Sequence, residues 1–193
     1  MVPADVSTLA DFVRWCRANP KQATYGTAAA GSMLHFTGVT LAKAGGFAFV
    51  HLPYGGPGGI QDLLGGRIAA TIYPIGTALP HVQSGGIRAL ATTGPQRSPL
   101  LPDVPTVREA GYPMLEAIEW FGVFVPANTP AATVNRLNAA IRTVVNTEAF
   151  KMGLAKLSVD AVSLTPAEFA QLIKSDFERW RPIIQASGFS PED

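Results

Sequence analysis

Tyr25-Gly26-Thr27-Ala28-Ala29-Ala30-Gly31-Ser32-Met33-Leu34-His35 decides how this chain of 193 residues is read. The stretch passes from a strand end, through small residues, into a helix start. Ser32 has the oxygen an N-cap needs, and Gly45-Gly46 supplies a stop, so the spacing predicts a helix over 32–44. Ahead of it, Ala23–Thr27 reads as a short strand. The same order returns further on: a strand over Phe47–Tyr54, a glycine-rich turn, then a short helix over Gly59–Leu64 closed by Gly65-Gly66. Working outward, Asp5–Asn19 reads as a helix with Leu9, Phe12, Val13 and Cys16 on one face, ended by Pro20. Ile68–Tyr73 reads as a strand, Gly76–Gln83 as a helix and Ile87–Thr92 as a strand. A β-α-β-α-β-α-β order predicts an α/β fold with a mostly parallel sheet and helices on both faces. Ile68–Tyr73 does not alternate in polarity, as expected of a strand covered on both sides.

Composition divides the chain. Residues 23–87 contain three charged side chains, Lys43, Asp62 and Arg67, whereas the equally long stretch 129–193 contains fourteen. Fifteen of the nineteen glycines lie between Gly26 and Gly94. A shift of this size predicts two structural units meeting near residues 95–116, beside the proline-rich loop 94–105. In the second unit, Glu116–Pro126 reads as a strand. Thr129-Pro130 opens a helix with proline at its first position, and Val134, Leu137, Ile141, Val144 and Val145 mark its buried face. Thr165-Pro166-Ala167-Glu168 is a capping box. The helix it opens carries a packing stripe of Phe169, Leu172, Ile173, Phe177, Trp180 and Ile184, with a kink expected at Pro182 and a stop at Gly188. Trp120 and Phe121, beside Gly122, read as core or hinge residues, with the lining of a ligand cleft as the alternative.

Fifteen Lys and Arg against fourteen Asp and Glu leave a formal charge of +1, which argues against nucleic acid or an anionic membrane as partner. The most apolar stretch, Ile68–Val82, holds Pro74, Gly76 and Pro80 and is too short to span a bilayer, so no direct membrane insertion is expected. The first residues lack the basic start and apolar run of a secretory signal; read literally, the chain stays in the cytoplasm. The single cysteine, Cys16, excludes an internal disulfide and a cysteine-based zinc cluster.

Chemistry concentrates in the two glycine-rich loops. Unobstructed backbone amides followed by a helix N-terminus suit a carboxylate or a phosphate. Both loops leave the carboxyl ends of strands, where open parallel sheets bind ligands. With no Arg or Lys in either loop, an anion would be held by oriented dipoles. Neither loop is a Walker or a Rossmann fingerprint: no Gly-Lys-Ser/Thr follows the glycines, and Gly55, Gly58 and Gly59 do not match G-x-G-x-x-G. Ser32 and His35, three apart on one helix, leave a serine hydrolase as an alternative, although no G-x-S-x-G elbow surrounds Ser32. A small-molecule-sensing regulatory module is the other. His51 and His81 read as polar residues on a strand and a helix rather than metal ligands, and Asp62 as a residue near a helix end. No catalytic residue, metal or cofactor is assigned.

Three segments carry a resemblance: GTAAAGSMLHF with its G-[ST]-x-x-x-G-S-x-x-H pattern, the Y-x-G-x-x-x-x-x-D-L-x-G-G segment starting at Tyr54, and the R-S-x-x-L-P-D-V-P-T-x-x-E-A-G run starting at Arg97. With WFGVFVPANTP, they make the chain resemble, over nearly its whole length, the substrate-binding proteins of tripartite tricarboxylate transporters, the TctC family or Bug receptors. The resemblance implies a periplasmic-binding-protein-like Venus-flytrap fold, with a small carboxylate as ligand, a membrane permease as partner and the periplasm as compartment. It implies one complete mostly parallel α/β domain over 5–115, with 116–193 as the C-terminal part of the other domain. It further implies ligand contacts at Thr27, Ala28, Ala29, Gly31 and Ser32, with His35 nearby, and at Gly56, Pro57, Gly58 and Gly59. Tyr73 and Ile75 would face the cleft, and Pro74-Ile75 departs from the small polar residue frequent there. Against that pattern the chain is expected to lack the family's signal peptide and its half-domain with a P-F-x-x-G-G-x-x-D loop, and so to be a truncated or non-functional receptor fragment. Residues 116–193 are therefore expected to expose apolar surface.

Overall fold

Thr8 opens the first helix. Its hydroxyl accepts the Asp11 amide at 3.1 Å while its own amide donates to the Asp11 carboxylate, a reciprocal cap. In this computed structural model, which describes residues 2–190, α1 (Leu9–Ala18) therefore begins at Leu9 rather than at Asp5. Leu9, Phe12, Val13 and Cys16 form its buried face. The chain divides into two units, Met1–Glu119 with Ser187–Asp193, and Trp120–Ala186. Met1 and the last three positions of the expected 116–193 segment lie outside the described residues.

In the first unit, β1 (Thr24–Thr27) is the middle strand of a three-stranded sheet of order β2-β1-β3. It pairs in parallel with β2 (Val50–Pro53), Thr24 facing Val50 and Thr27 facing Pro53, and with β3 (Ala70–Thr71), Tyr25 facing Ala70. Between them run α2 (Met33–Gly45) and α3 (Gly59–Leu64); α4 (Ile75–Gln83) follows β3. Ser32 caps α2, and Gly46 ends it in the left-handed conformation, φ 63°. The α1 face packs with Leu41, Ala69, Val107 and Leu115 to form the core.

The strands are shorter than the apolar runs suggest. Phe47 and Phe49 spend their side chains in an aromatic cluster with Phe12 and Tyr25, and the ladder bond of β2 starts only at Val50, whose amide donates to Ala23 at 3.0 Å. Ile87–Thr92 forms no strand among the described residues. Thr92 alone pairs, with Thr106, as an isolated parallel bridge. The run behind it folds on itself: Arg97 grips Glu109 at 2.9 Å, and the Glu109 carboxylate takes the Thr106 amide at 2.8 Å. That knot presents one residue to Thr92 and then turns away.

The second unit holds α5 (Ala131–Val145), α6 (Glu148–Ala155) and most of α7 (Pro166–Ser187). Pro130 caps α5 rather than filling its first turn. Pro182 lies inside α7, and Gly188 follows at φ 71°. Glu116–Pro126 forms no strand among the described residues: the Ala117 amide donates to the Thr93 carbonyl at 2.8 Å, and that bond is not extended into a ladder. Trp120 and Phe124 pack on Phe169, and the Trp120 indole donates to Asp176 at 2.6 Å. No residue of Trp120–Ala186 is fully buried. Leu137, Ile141 and Val144, read as a buried face, are exposed, as is Phe177; Phe121, read as core or hinge, is 82% exposed. An amphipathic stripe records which face needs cover, not that cover is present.

Candidate functional site

Strand order fixes where the loops emerge. Because β1 lies between β2 and β3 and all three are parallel, the segments after Thr27, Pro53 and Thr71 leave one edge of the sheet side by side. The Tyr54 amide donates to Thr27 at 3.0 Å, joining the first two loops at their roots. The Tyr73 hydroxyl donates to the Gly56 carbonyl at 2.7 Å, joining the second to the third. Ile75 is the first residue of α4.

The first loop is closed from inside. Thr27, fully buried, donates its hydroxyl proton to the Ala29 carbonyl at 3.0 Å and stands 2.7 Å from His51 Nε2. Ser32 donates to the same carbonyl at 2.8 Å and accepts the His35 amide at 3.3 Å. Gly31, at φ 70°, donates its amide to His35 Nδ1 at 3.2 Å. Ala28 and Ser32 are half-buried and Ala29 and Gly31 exposed, whereas Thr27 and His35 turn inward. No described hydrogen bond occupies the amides of Ala28, Ala29, Ala30 or Ser32. In the second loop the same holds for Gly55, Gly56 and Gly58. Pro57 and Gly58 are exposed and Gly56 half-buried; Gly59 is buried, and a Cβ there would stand 2.9 Å from the Tyr73 oxygen.

Aromatic rings fill part of the space beside these loops. A Cβ at Gly31 would meet the Phe189 ring at 2.8 Å, and one at Gly26 the Tyr54 ring at 2.8 Å. Tyr54 is fixed by donating to Asp62 at 2.7 Å, and burial with the neighbouring carboxylate pushes its phenol up to about 12. Asp62 accepts from Arg67 as well, which together with Tyr54 holds it below the usual carboxylate range. A cavity of about 140 Å3 beside Trp15 and Arg67 and another of about 320 Å3 beside Thr8 and Asp103 are lined by neither loop.

Ser32 and His35 do not form a nucleophile and base pair. The Ser32 proton is committed to Ala29, and the His35 Nδ1 lone pair to Gly31. Among the described residues no group of three His, Cys, Asp or Glu side chains is placed to hold a metal, and no helix is long and apolar enough to cross a membrane. Sequence reasoning missed His51 and Phe189. Rings of His35 and His51 stack at 4.0 Å, and Phe189 meets His35 edge-on at 5.5 Å. Neither had a local signal: His51 is placed by its register opposite Tyr25, and Phe189 is remote in sequence.

The model of the tripartite tricarboxylate transporter family receptor matches residues 1–189. Protein BugT of Bordetella pertussis is 32% identical over 184 residues, which is 95% of this chain and 56% of that protein. The UPF0065 protein of the tcbD-tcbE intergenic region in a Pseudomonas species is 32% identical over 188 residues, again 56% of its length. Among solved structures, R. palustris Rpa4515 with adipate superposes with a TM-score of 0.83 at 28% identity, covering 96% of this chain and 62% of that one. MatC (Rpa3494) from Rhodopseudomonas palustris with bound malate gives 0.75 at 26% identity, covering 92% and 62%. The chain thus spans little more than half the length of these two curated relatives.

Proposed function

The chain belongs to the tripartite tricarboxylate transporter receptor family, and from that premise we propose that its first unit captures a small organic carboxylate in the periplasm for delivery to a membrane permease. One observation carries the reading: two unpartnered runs of main-chain amides leave adjacent parallel strands at a single sheet edge, with no cationic side chain in either loop. Amides held by the protein interior complement a carboxylate without the desolvation cost of a buried lysine or arginine. The proposed amide donors are Ala28, Ala29 and Ser32 in the first loop and Gly56 and Gly58 in the second, with Gly31, Pro57 and Gly59 shaping the turns between them. Tyr73 and Ile75 border them, and Thr27 and His35 frame the loop from below. Adipate and malate, bound by two structural relatives, set the size of ligand to try first.

The test is calorimetric titration of the chain with adipate and malate, and with adipamide, which has adipate's length without its charge. The expected result is binding of a dicarboxylate and none of the diamide. Equal response to diacid and diamide, or no response to either acid, overturns the reading.

A further inference from the structure

The two stacked histidines lie under the first loop rather than on its outer face. We propose that His35 is a positioning residue of this loop: its Nδ1, kept as an acceptor by the stack against His51, takes the Gly31 amide and so decides which amides remain to face a carboxylate. The proposal deepens the receptor reading above and rests on it for the ligand class.

The hydrogen-bond geometry assigns the protons. Gly31 donates to His35 Nδ1 at 3.2 Å, so that nitrogen holds a lone pair and the ring proton sits on Nε2. With the single Thr27 proton assigned to the Ala29 carbonyl at 3.0 Å, the Thr27 oxygen is left to accept from His51 Nε2 at 2.7 Å, which assigns the His51 proton to Nε2. Both loop ends are thereby tied to a histidine, Thr27 to His51 and Gly31 to His35. The rings lie 4.0 Å apart and within 20° of parallel, an arrangement that disfavours charge on either. Their surroundings agree. From β1, Tyr25 faces His51 at 5.0 Å and donates its hydroxyl to the His35 carbonyl at 2.8 Å; Phe36 and Phe189 cover His35. Tyr25 is the one other titratable group in contact with the pair among the described residues, and burial keeps it a neutral phenol. Burial lowers His35, and burial with the neighbouring His35 brings His51 down to about 4.

Protonating His35 at Nδ1 turns the acceptor into a donor aimed at another donor. Gly31 N–H then loses its partner, and the loop between Thr27 and Ser32 is released at one end. A histidine that merely fills space would tolerate any tautomer; this one has a single tautomer compatible with the loop.

The first readout needs no ligand. In 15N NMR of the chain at neutral pH, His35 is expected as the Nε2–H tautomer. On acidification the Gly31 amide should move with the same midpoint as the His35 ring nitrogens. The second readout is adipate titration. His35→Phe keeps a ring and loses the acceptor, and affinity should fall about tenfold, the worth of one hydrogen bond. His35→Asn, with Oδ1 near the place of Nδ1, should recover most of that loss. Compared at each pH with wild type, so that protonation of the probe cancels, His35→Asn should lack the acid release. An Nδ1–H tautomer, a Gly31 amide indifferent to the titration, or an Asn variant no better than the Phe variant overturns the proposal. If neither adipate nor malate binds any form, the carboxylate reading fails, while the tautomer and the Gly31 titration still decide the positioning role; if malate alone binds, the same comparison of variants is made with malate.

Discussion

Gly38 shows how little freedom single positions have beneath the loop. A Cβ there would stand 2.2 Å from the Tyr25 ring, which is fully buried and tied through its hydroxyl to His35. The ring has nowhere to go, so Gly38→Ala should cost about 1–3 kcal/mol, read as a lower urea midpoint with unchanged slope. His51 makes a second prediction, in pH. Its imidazole titrates near 6.5 when unfolded and is lowered to about 4 by the fold. Between these values the unfolded chain binds the extra proton, so stability is full above 6.5 and falls as pH drops toward about 4. Denaturation midpoints measured across that window should decline in the wild type and decline less in His51→Phe. A slope unchanged by the substitution would mean that other groups carry the effect.

Elements were legible where the signal is local. Ser32 and Gly46 delimit α2 as capping chemistry requires, and Gly59–Leu64 is helical over the span its glycines bracket. Local signals say nothing of partners, and a strand exists only by pairing. Ile87–Thr92 and Glu116–Pro126 have the composition of strands and no ladder to join, while Thr147, the cap of α6, was present in the sequence but overlooked beside the longer pattern of α5. The candidate site divides in the same way. Its amide loops were visible as runs of small residues, whereas the His35–His51 stack depends on the β1–β2 register, which no local pattern carries. Ser32 tests the element that supports the site. Its side chain both caps α2 and holds the Ala29 carbonyl, so Ser32→Ala should lower stability by about 1 kcal/mol. It should also weaken adipate binding in calorimetry. Loss of an ester-hydrolysing activity in that variant, with adipate binding unchanged, would favour the hydrolase alternative instead.

For the whole molecule, the two units differ in what holds them. The first has a continuous core around α1 and the sheet, in which Cys16 is fully buried and its thiol pushed up to about 12. In Trp120–Ala186 no residue is fully buried, and Phe121, Val123 and Phe124 stand in a row at 82%, 68% and 66% exposure. Apolar surface of this kind marks a face that binds something or a segment that opens readily. Opening free energy depends on buried contacts, so Trp120–Ala186 should open at far lower cost than the sheet. Limited proteolysis should therefore cut first within 120–186 and leave a resistant product that retains the 24–71 sheet. The Cys16 thiol provides an internal check: a thiol-reactive dye should label it only when the first unit unfolds, because the buried neutral thiol is a poor nucleophile. Early cleavage in 120–186 with Cys16 still unlabelled is the expected pairing. Equal resistance of both units, or labelling of Cys16 at the rate of the first cuts, would show that the chain opens as one body and that the exposed row does not weaken its unit.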